Sequence, residues 1–117
     1  MVGTYDGSLV KIYVNNVLEN SVSYSQTPGT TNQPLVIGRW YGNFSDYYTS
    51  GSISNVAVFN SALTSSQVST LFNFGTPETA ISFSPTSWWK LDNLTTGLLD
   101  SGSASNNGTN SNPGATQ

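Results

Sequence analysis

The first twenty-five residues, MVGTYDGSLVKIYVNNVLENSVSYS, place apolar and polar side chains in short alternating runs broken by two turn signals, Asp6-Gly7 and Asn15-Asn16. Both dipeptides tolerate the positive φ values of tight hairpins, so the pattern predicts three strands joined by two turns. Val10, Ile12 and Val14 alternate with Leu9, Lys11 and Tyr13, the period of two of a strand whose successive side chains point to opposite faces. A two-residue loop at Asn15-Asn16 sets Val14 opposite Val17 and Tyr13 opposite Leu18, which keeps apolar cross-strand pairs together. The strand before Asp6, from Val2 to Tyr5, is barely long enough to pair.

Further along, SQTPGTTNQ reads as a loop by its Pro, Gly and Asn content, and PLVIGRW as a short buried strand interrupted by Gly38. WYGNFSDYYTSG gathers Trp40, Tyr41, Phe44, Tyr47 and Tyr48 around turn residues, with Asp46 as its single charge. Alternation resumes in SISNVAVFN, where Val56 and Val58 share one face and Ile53 and Phe59 the other, as in a sheet covered on both sides. In LTSSQVSTLF, Thr64 and Gln67 have the spacing of a capping box and Leu63 and Val68 that of a hydrophobic staple, so a helix is predicted near residues 65–73. Val68, Leu71 and Phe72 form its apolar face, and Gly75 with Pro77 ends it. Residues 76–87 read as a linker in which Ile81 and Phe83 could form a short edge strand. Beyond Asp92 no apolar periodicity remains, and the segment reads as loop or disorder.

Composition narrows the functional classes. Ser, Thr, Asn and Gly make up nearly half of the 117 residues and only 8% are charged, yet 12% are aromatic, more than a disordered chain of this polarity carries. One all-β domain with a modest core is the expectation. Three basic residues and a net charge of −3 cannot build a phosphate-tracking stripe, so nucleic acid is excluded as a partner. The absence of Cys and His removes disulfides, thiolate or imidazole metal sites and nucleophile-histidine catalysis. No apolar run reaches the roughly 18 residues of a membrane span, and MVGTYDGS lacks the features of a signal peptide, so export would be encoded elsewhere. Three Asn-x-Ser/Thr sequons, at Asn43, Asn93 and Asn107, are no more than chance places in a chain this rich in those residues.

The order YDGSLVKIYVNN, PLVIGRW, GSISNVAVFNSALTSSQVSTLFN resembles the C-terminal half of a LamG-like jelly roll of the concanavalin A-like lectin/glucanase superfamily, over about residues 2–74. WWKLDN and the following LLDSGSASNNGTN resemble the opening strand and loop of the same family. The resemblance implies an antiparallel β-sandwich, jelly-roll-like but partial or order-rotated, with one short helix. Residues 1–75 would be the C-terminal part of one module, 76–87 a linker, and 88–117 the first strand and loop of another. Two accounts stay open: a piece of a tandem-module protein, or a rotated domain whose Trp88 strand pairs back onto 1–75. Under pairing, adjacent indoles point to opposite faces, one into the core and the other over an outer face or edge. Leu91 then sides with Trp89, and Lys90 with Trp88.

Three functional classes follow. Rings on a loop can stack on the apolar face of a sugar, making Trp40, Tyr41, Asn43, Asp46, Tyr47 and Tyr48 the candidate ligand-binding set; against this stands the packing role such rings have in any small β domain. Calcium is a candidate cofactor, because related modules often bind it. Asp46 is the only local carboxylate, however, where about six to eight oxygen ligands are needed, and Ser54 and Asn55 stand where many relatives carry an acid. Hydrolases share the superfamily's fold, but retaining hydrolysis needs two carboxylates about 5–5.5 Å apart, and no strand carries alternating acids; no enzyme is expected. The remaining class is a structural repeat of a viral or microbial surface fibre, assembling with other modules or a partner chain by strand or edge contacts. An extracellular, virion-surface or cell-surface location fits both non-catalytic classes.

Overall fold

The computed structural model describes residues 1–41, 46–76, 80–93 and 95–110, without the side chains at positions 40, 41 and 46. Antiparallel strands dominate, and among the described residues one short α-helix accompanies them, as the expected all-β class requires. β1 (Val2–Tyr5), β2 (Leu9–Val14) and β3 (Val17–Ser23) form a three-stranded meander in that order. Asn15 and Asn16 take φ of 48° and 67°, and this turn fixes Val14 opposite Val17 and Tyr13 opposite Leu18, the pairs expected. One bulge intervenes. Ile12 pairs with Asn20, so Glu19 is the extra residue on β3. Asp6 holds the first turn by accepting hydrogen bonds from the Ser8 and Leu9 amides at 2.9 and 2.8 Å.

The meander buries the Leu9, Lys11 and Tyr13 face of β2, and the valine-rich face looks outward. Tyr13 is 7% exposed, against 42%, 38% and 38% for Val10, Ile12 and Val14. β4 (Arg39–Tyr41) and β5 (Asp46–Tyr48) form a hairpin. Of the strand expected over residues 34–40, only the part after Gly38 is paired: Leu35 and Val36 are exposed outside any strand, and β4 begins at Arg39, next to Gly38 with its φ of 77°. Among the described residues no strand pairs with this apolar run between Pro34 and the left-handed Gly38. β6 (Val56–Val58) is likewise shorter than predicted, because Asn55 at φ 52° breaks the extended backbone before it and leaves Ile53 outside.

The helix is where its cap places it. α1 (Ser65–Phe72) opens on Thr64, whose hydroxyl accepts from the Gln67 amide at 3.2 Å while the Gln67 side chain accepts from the Thr64 amide at 2.9 Å. It closes two residues earlier than Gly75, on Asn73 in the left-handed region, and a 3-10 turn (Asn73–Gly75) follows. Val68, at the staple position, is 1% exposed. Ile81 and Phe83 form no strand; Phe83 stacks instead on Phe59 at 5.6 Å.

β7 (Ser87–Trp89) pairs antiparallel with β6, setting Val56 opposite Trp89 and Ala57 opposite Trp88. The two indoles line different clefts, as strand alternation requires. Trp88 joins Tyr13, Val68 and Leu71 around a space of about 710 Å³, and Trp89 joins Leu91, Leu98 and Tyr48 around one of about 1580 Å³. Lys90 sits with its ammonium 5.0 Å from the Trp88 ring centre, on the face expected. Neither indole remains at an outer surface, however: they are 5% and 8% exposed. Trp88 Nε1 donates to Asn55 Oδ1 at 3.0 Å and Trp89 Nε1 to the Asn106 carbonyl at 2.8 Å, so both polar tips are satisfied.

Val68→Ala should cost about 2 kcal/mol by removing buried methyl groups beside Tyr13 and Trp88. Thr64→Ala should cost about 1 kcal/mol through the lost cap. Urea melts followed by circular dichroism read both. A Val68→Ala midpoint equal to the parent's would mean that the helix does not contribute to the core.

Candidate functional site

The aromatic stretch folds into the β4–β5 hairpin. Its register sets Arg39 opposite Tyr48, Trp40 opposite Tyr47 and Tyr41 opposite Asp46, and the Gly38 carbonyl closes it by accepting from the Thr49 amide at 2.8 Å. Five of the six sequence-predicted ligand residues therefore lie on two paired strands. Asn43 is outside the described residues, as are the side chains of Trp40, Tyr41 and Asp46. Tyr47 and Tyr48 are 62% and 54% exposed, and neither is packing in a core. The Arg39 guanidinium carbon lies 5.7 Å from the Tyr48 ring centre, a cation-π contact that steadies that ring while leaving it open. Tyr48 and Arg39 line the larger cleft, as does the segment from Asn106 to Asn110.

That segment is held by a residue that periodicity overlooks. Asp100 Oδ1 accepts from the backbone amides of Trp88 and Gly102, each at 2.7 Å, and Oδ2 from the Asn106 amide at 2.8 Å. Asp100 also forms an isolated bridge to Trp89, and the Ser101 amide donates to the Trp88 carbonyl at 2.8 Å. The segment beyond Asp92, expected as loop or disorder, is over its described residues to Asn110 a loop tied to β7. Burial pushes the Asp100 carboxyl up. The three backbone amides and the Ser87 hydroxyl outweigh that and hold it below its ordinary 3.8. The signal available in the sequence was Asp-Ser-Gly, a side chain able to bind amides ahead of it next to a glycine.

Asp6, like Asp100, is engaged by amide donors, and its carboxyl is held low first by the Leu9 amide and then by Ser8. Among the described residues no three Asp, Glu, His or Cys side chains gather to hold an ion. What the geometry offers is an exposed aromatic hairpin beside an amide-rimmed cleft, suited to a ligand with both apolar faces and hydroxyl groups.

A depressed folded-state pKa stabilises the protein above the unfolded value, and that contribution is lost as pH falls below about 3.8 toward the folded value. Asp6 acts in the same direction, so the comparison has to be with a variant. Asp100→Asn should melt lower than the parent at pH 7, and the gap should narrow between pH 4 and pH 2. Parallel melting curves across that range would remove Asp100 from the acid response.

A family model for a laminin G type domain, described as "Concanavalin A-like lectin/glucanases superfamily", matches residues 1–69. The match takes in the β1–β3 meander, the β4–β5 hairpin, β6 and most of α1, and stops short of β7 and the Asp100 loop. No curated protein and no solved structure matches the chain.

Proposed function

Because the chain belongs to the concanavalin A-like lectin/glucanase superfamily, we propose that it is a non-catalytic carbohydrate-binding or adhesion module of an extracellular or particle-surface protein. The observation that carries this reading is the exposure of two successive tyrosines, Tyr47 and Tyr48, one on each face of β5. A pyranose presents an apolar face to a flat ring and hydroxyl groups to its surroundings. Tyrosine meets both needs, with few rotatable bonds to freeze. Trp40, Tyr41 and Asp46 lie on the same two strands, and with Asn43 of the same sequence stretch they complete the set. Asp46 is the carboxylate through which calcium would take part. The engagement of Asp6 and Asp100 by their own amides supports the non-catalytic side of the proposal.

A second observation favours assembly as the alternative role. Val10, Ile12, Val14, Val17 and Val22 share the outward face of the meander and range from 38% to 58% exposed. Such a face suits a structural repeat that joins its neighbours by strand or edge contacts.

A glycan array should give a defined sugar signal. Tyr47→Ala and Tyr48→Ala should each weaken it by about tenfold, as loss of one stacked ring at roughly 1.4 kcal/mol requires, with unchanged circular dichroism. Repeating the array with a chelator tests calcium. A blank array together with concentration-dependent oligomers on a sizing column would replace the binding role with the assembly role.

A further inference from the structure

The loop that rims the larger cleft contains the chain's single Asn-Gly dipeptide, Asn107-Gly108. Asparagine followed by glycine is the most labile amide pair in unstructured peptides, because nothing on the glycine hinders its nitrogen from approaching the preceding side chain. The glycine nitrogen gives up its proton and bonds to the asparagine Cγ. The Cγ–Nδ2 bond breaks, ammonia leaves and a five-membered succinimide remains. Water then opens the ring at either carbonyl, leaving aspartate or a β-linked isoaspartate whose backbone is longer by one methylene.

Three contacts oppose this path. The Gly108 amide donates to the Leu98 carbonyl at 2.8 Å, so the attacking nitrogen is engaged and its proton held. Asn107 Oδ1 accepts from the Asp100 amide at 3.0 Å, which fixes the side chain away from its own backbone. The Asn107 amide in turn donates to the Ser105 carbonyl at 3.1 Å. Glycine at 108 also has a packing reason: a Cβ there would lie 3.3 Å from the Leu98 carbonyl oxygen and 3.9 Å from Trp89 Cδ1, a close fit for any side chain. The lack of a side chain that makes the dipeptide labile is the same feature that lets the loop lie against β7.

We propose that Asn107-Gly108 is a latent deamidation site, held closed by docking of the Asp100 loop, whose reaction releases that loop from the Trp89 strand. An isoaspartate at 107 lengthens the main chain between two contacts with fixed spacing, the Asn106 carbonyl on Trp89 Nε1 and the Gly108 amide on Leu98. The aspartate product instead places a new carboxylate one hydrogen bond from the Asp100 backbone, beside the anion that organises the loop. The change is one-way. It registers the time the loop has spent undocked and alters the rim of the cleft bordered by Tyr48.

The test is to hold the full chain at pH 8 and 37 °C in buffer and, separately, in urea, and to follow conversion at Asn107 by peptide mass mapping. Native chain should convert at least about tenfold more slowly than unfolded chain, since attack requires local opening. Asp100→Asn, checked as folded by circular dichroism, should convert faster than the parent in buffer and at the parent's rate in urea. Equal parent rates in buffer and urea would overturn the protection. A native Asp100→Asn rate equal to the parent's would overturn the role of docking. Converted parent, separated by charge, should show a red-shifted and more quenchable tryptophan emission; an emission unchanged on conversion would overturn the release.

Discussion

One carboxylate organises the last third of the described chain. Asp100 receives the Trp88, Gly102 and Asn106 amides, and these belong to three different stretches of backbone that would otherwise have to be solvated or paired by strands. By binding the β7 amide on its free side it substitutes for a neighbouring strand. By binding Gly102 and Asn106 it folds the next six residues into a cover for Trp89. Charge-assisted bonds of this kind are stronger than neutral ones and tolerate little change in geometry. The close fit follows: a Cβ at Gly102 would fall 2.6 Å from Ser87 Cα, so only glycine lets the loop approach β7 this nearly. Removal of the carboxylate leaves β7 with β6 as its only paired strand.

The two tryptophans show how this anchor connects to the rest. Strand alternation sends them to opposite sides, and each needs a cover of its own. Tyr13 and Val68, from the part of the chain that matches the superfamily, and Leu71, two residues beyond it, line the cleft with Trp88. Residues 98–108 cover Trp89 from beyond that match. β7 is the wall between them, and the hairpin carrying Tyr47 and Tyr48 borders the Trp89 side. Exposed rings on that hairpin and buried rings on β7 therefore differ in what lies over them, not in their chemistry.

Local chemistry was legible in the sequence and long-range chemistry was not. Thr64 and Gln67 announce α1 because both halves of the capping box lie within four residues, and Asn15-Asn16 sets a register because the turn itself constrains the pairing. Trp88 and Trp89 could be assigned opposite faces from alternation alone, but the cover over Trp89 comes from a loop with no apolar period, so one ring was expected at a surface. Residues 34–37 misled in the other direction: their hydrophobicity is that of a strand, but a strand needs a partner, and none lies beside them among the described residues. For the candidate site, clustering of aromatics was visible, whereas pairing of Arg39 with Tyr48 and Trp40 with Tyr47 depends on where the hairpin turns. Asp100 left no trace in any hydrophobic pattern because its partners are backbone amides.

The connection between β6 and β7 separates the fold into two tempos. Each strand of the meander meets its partner across a turn of a few residues, whereas Val58 and Ser87 must find each other across nearly thirty residues of intervening chain, α1 included. Loop-closure entropy rises as about (3/2)RT ln n, so the meander and the capped helix are cheap to form early and the tryptophan strand is the last large element to be enclosed. Until it docks, two adjacent indoles and the edge of β6 are open together, and the valines on the outer face of β2 and β3 are already exposed. The bulge at Glu19 then has a protective meaning: a kinked, negatively charged edge is a poor template for a second chain during the interval in which this one has most to offer it.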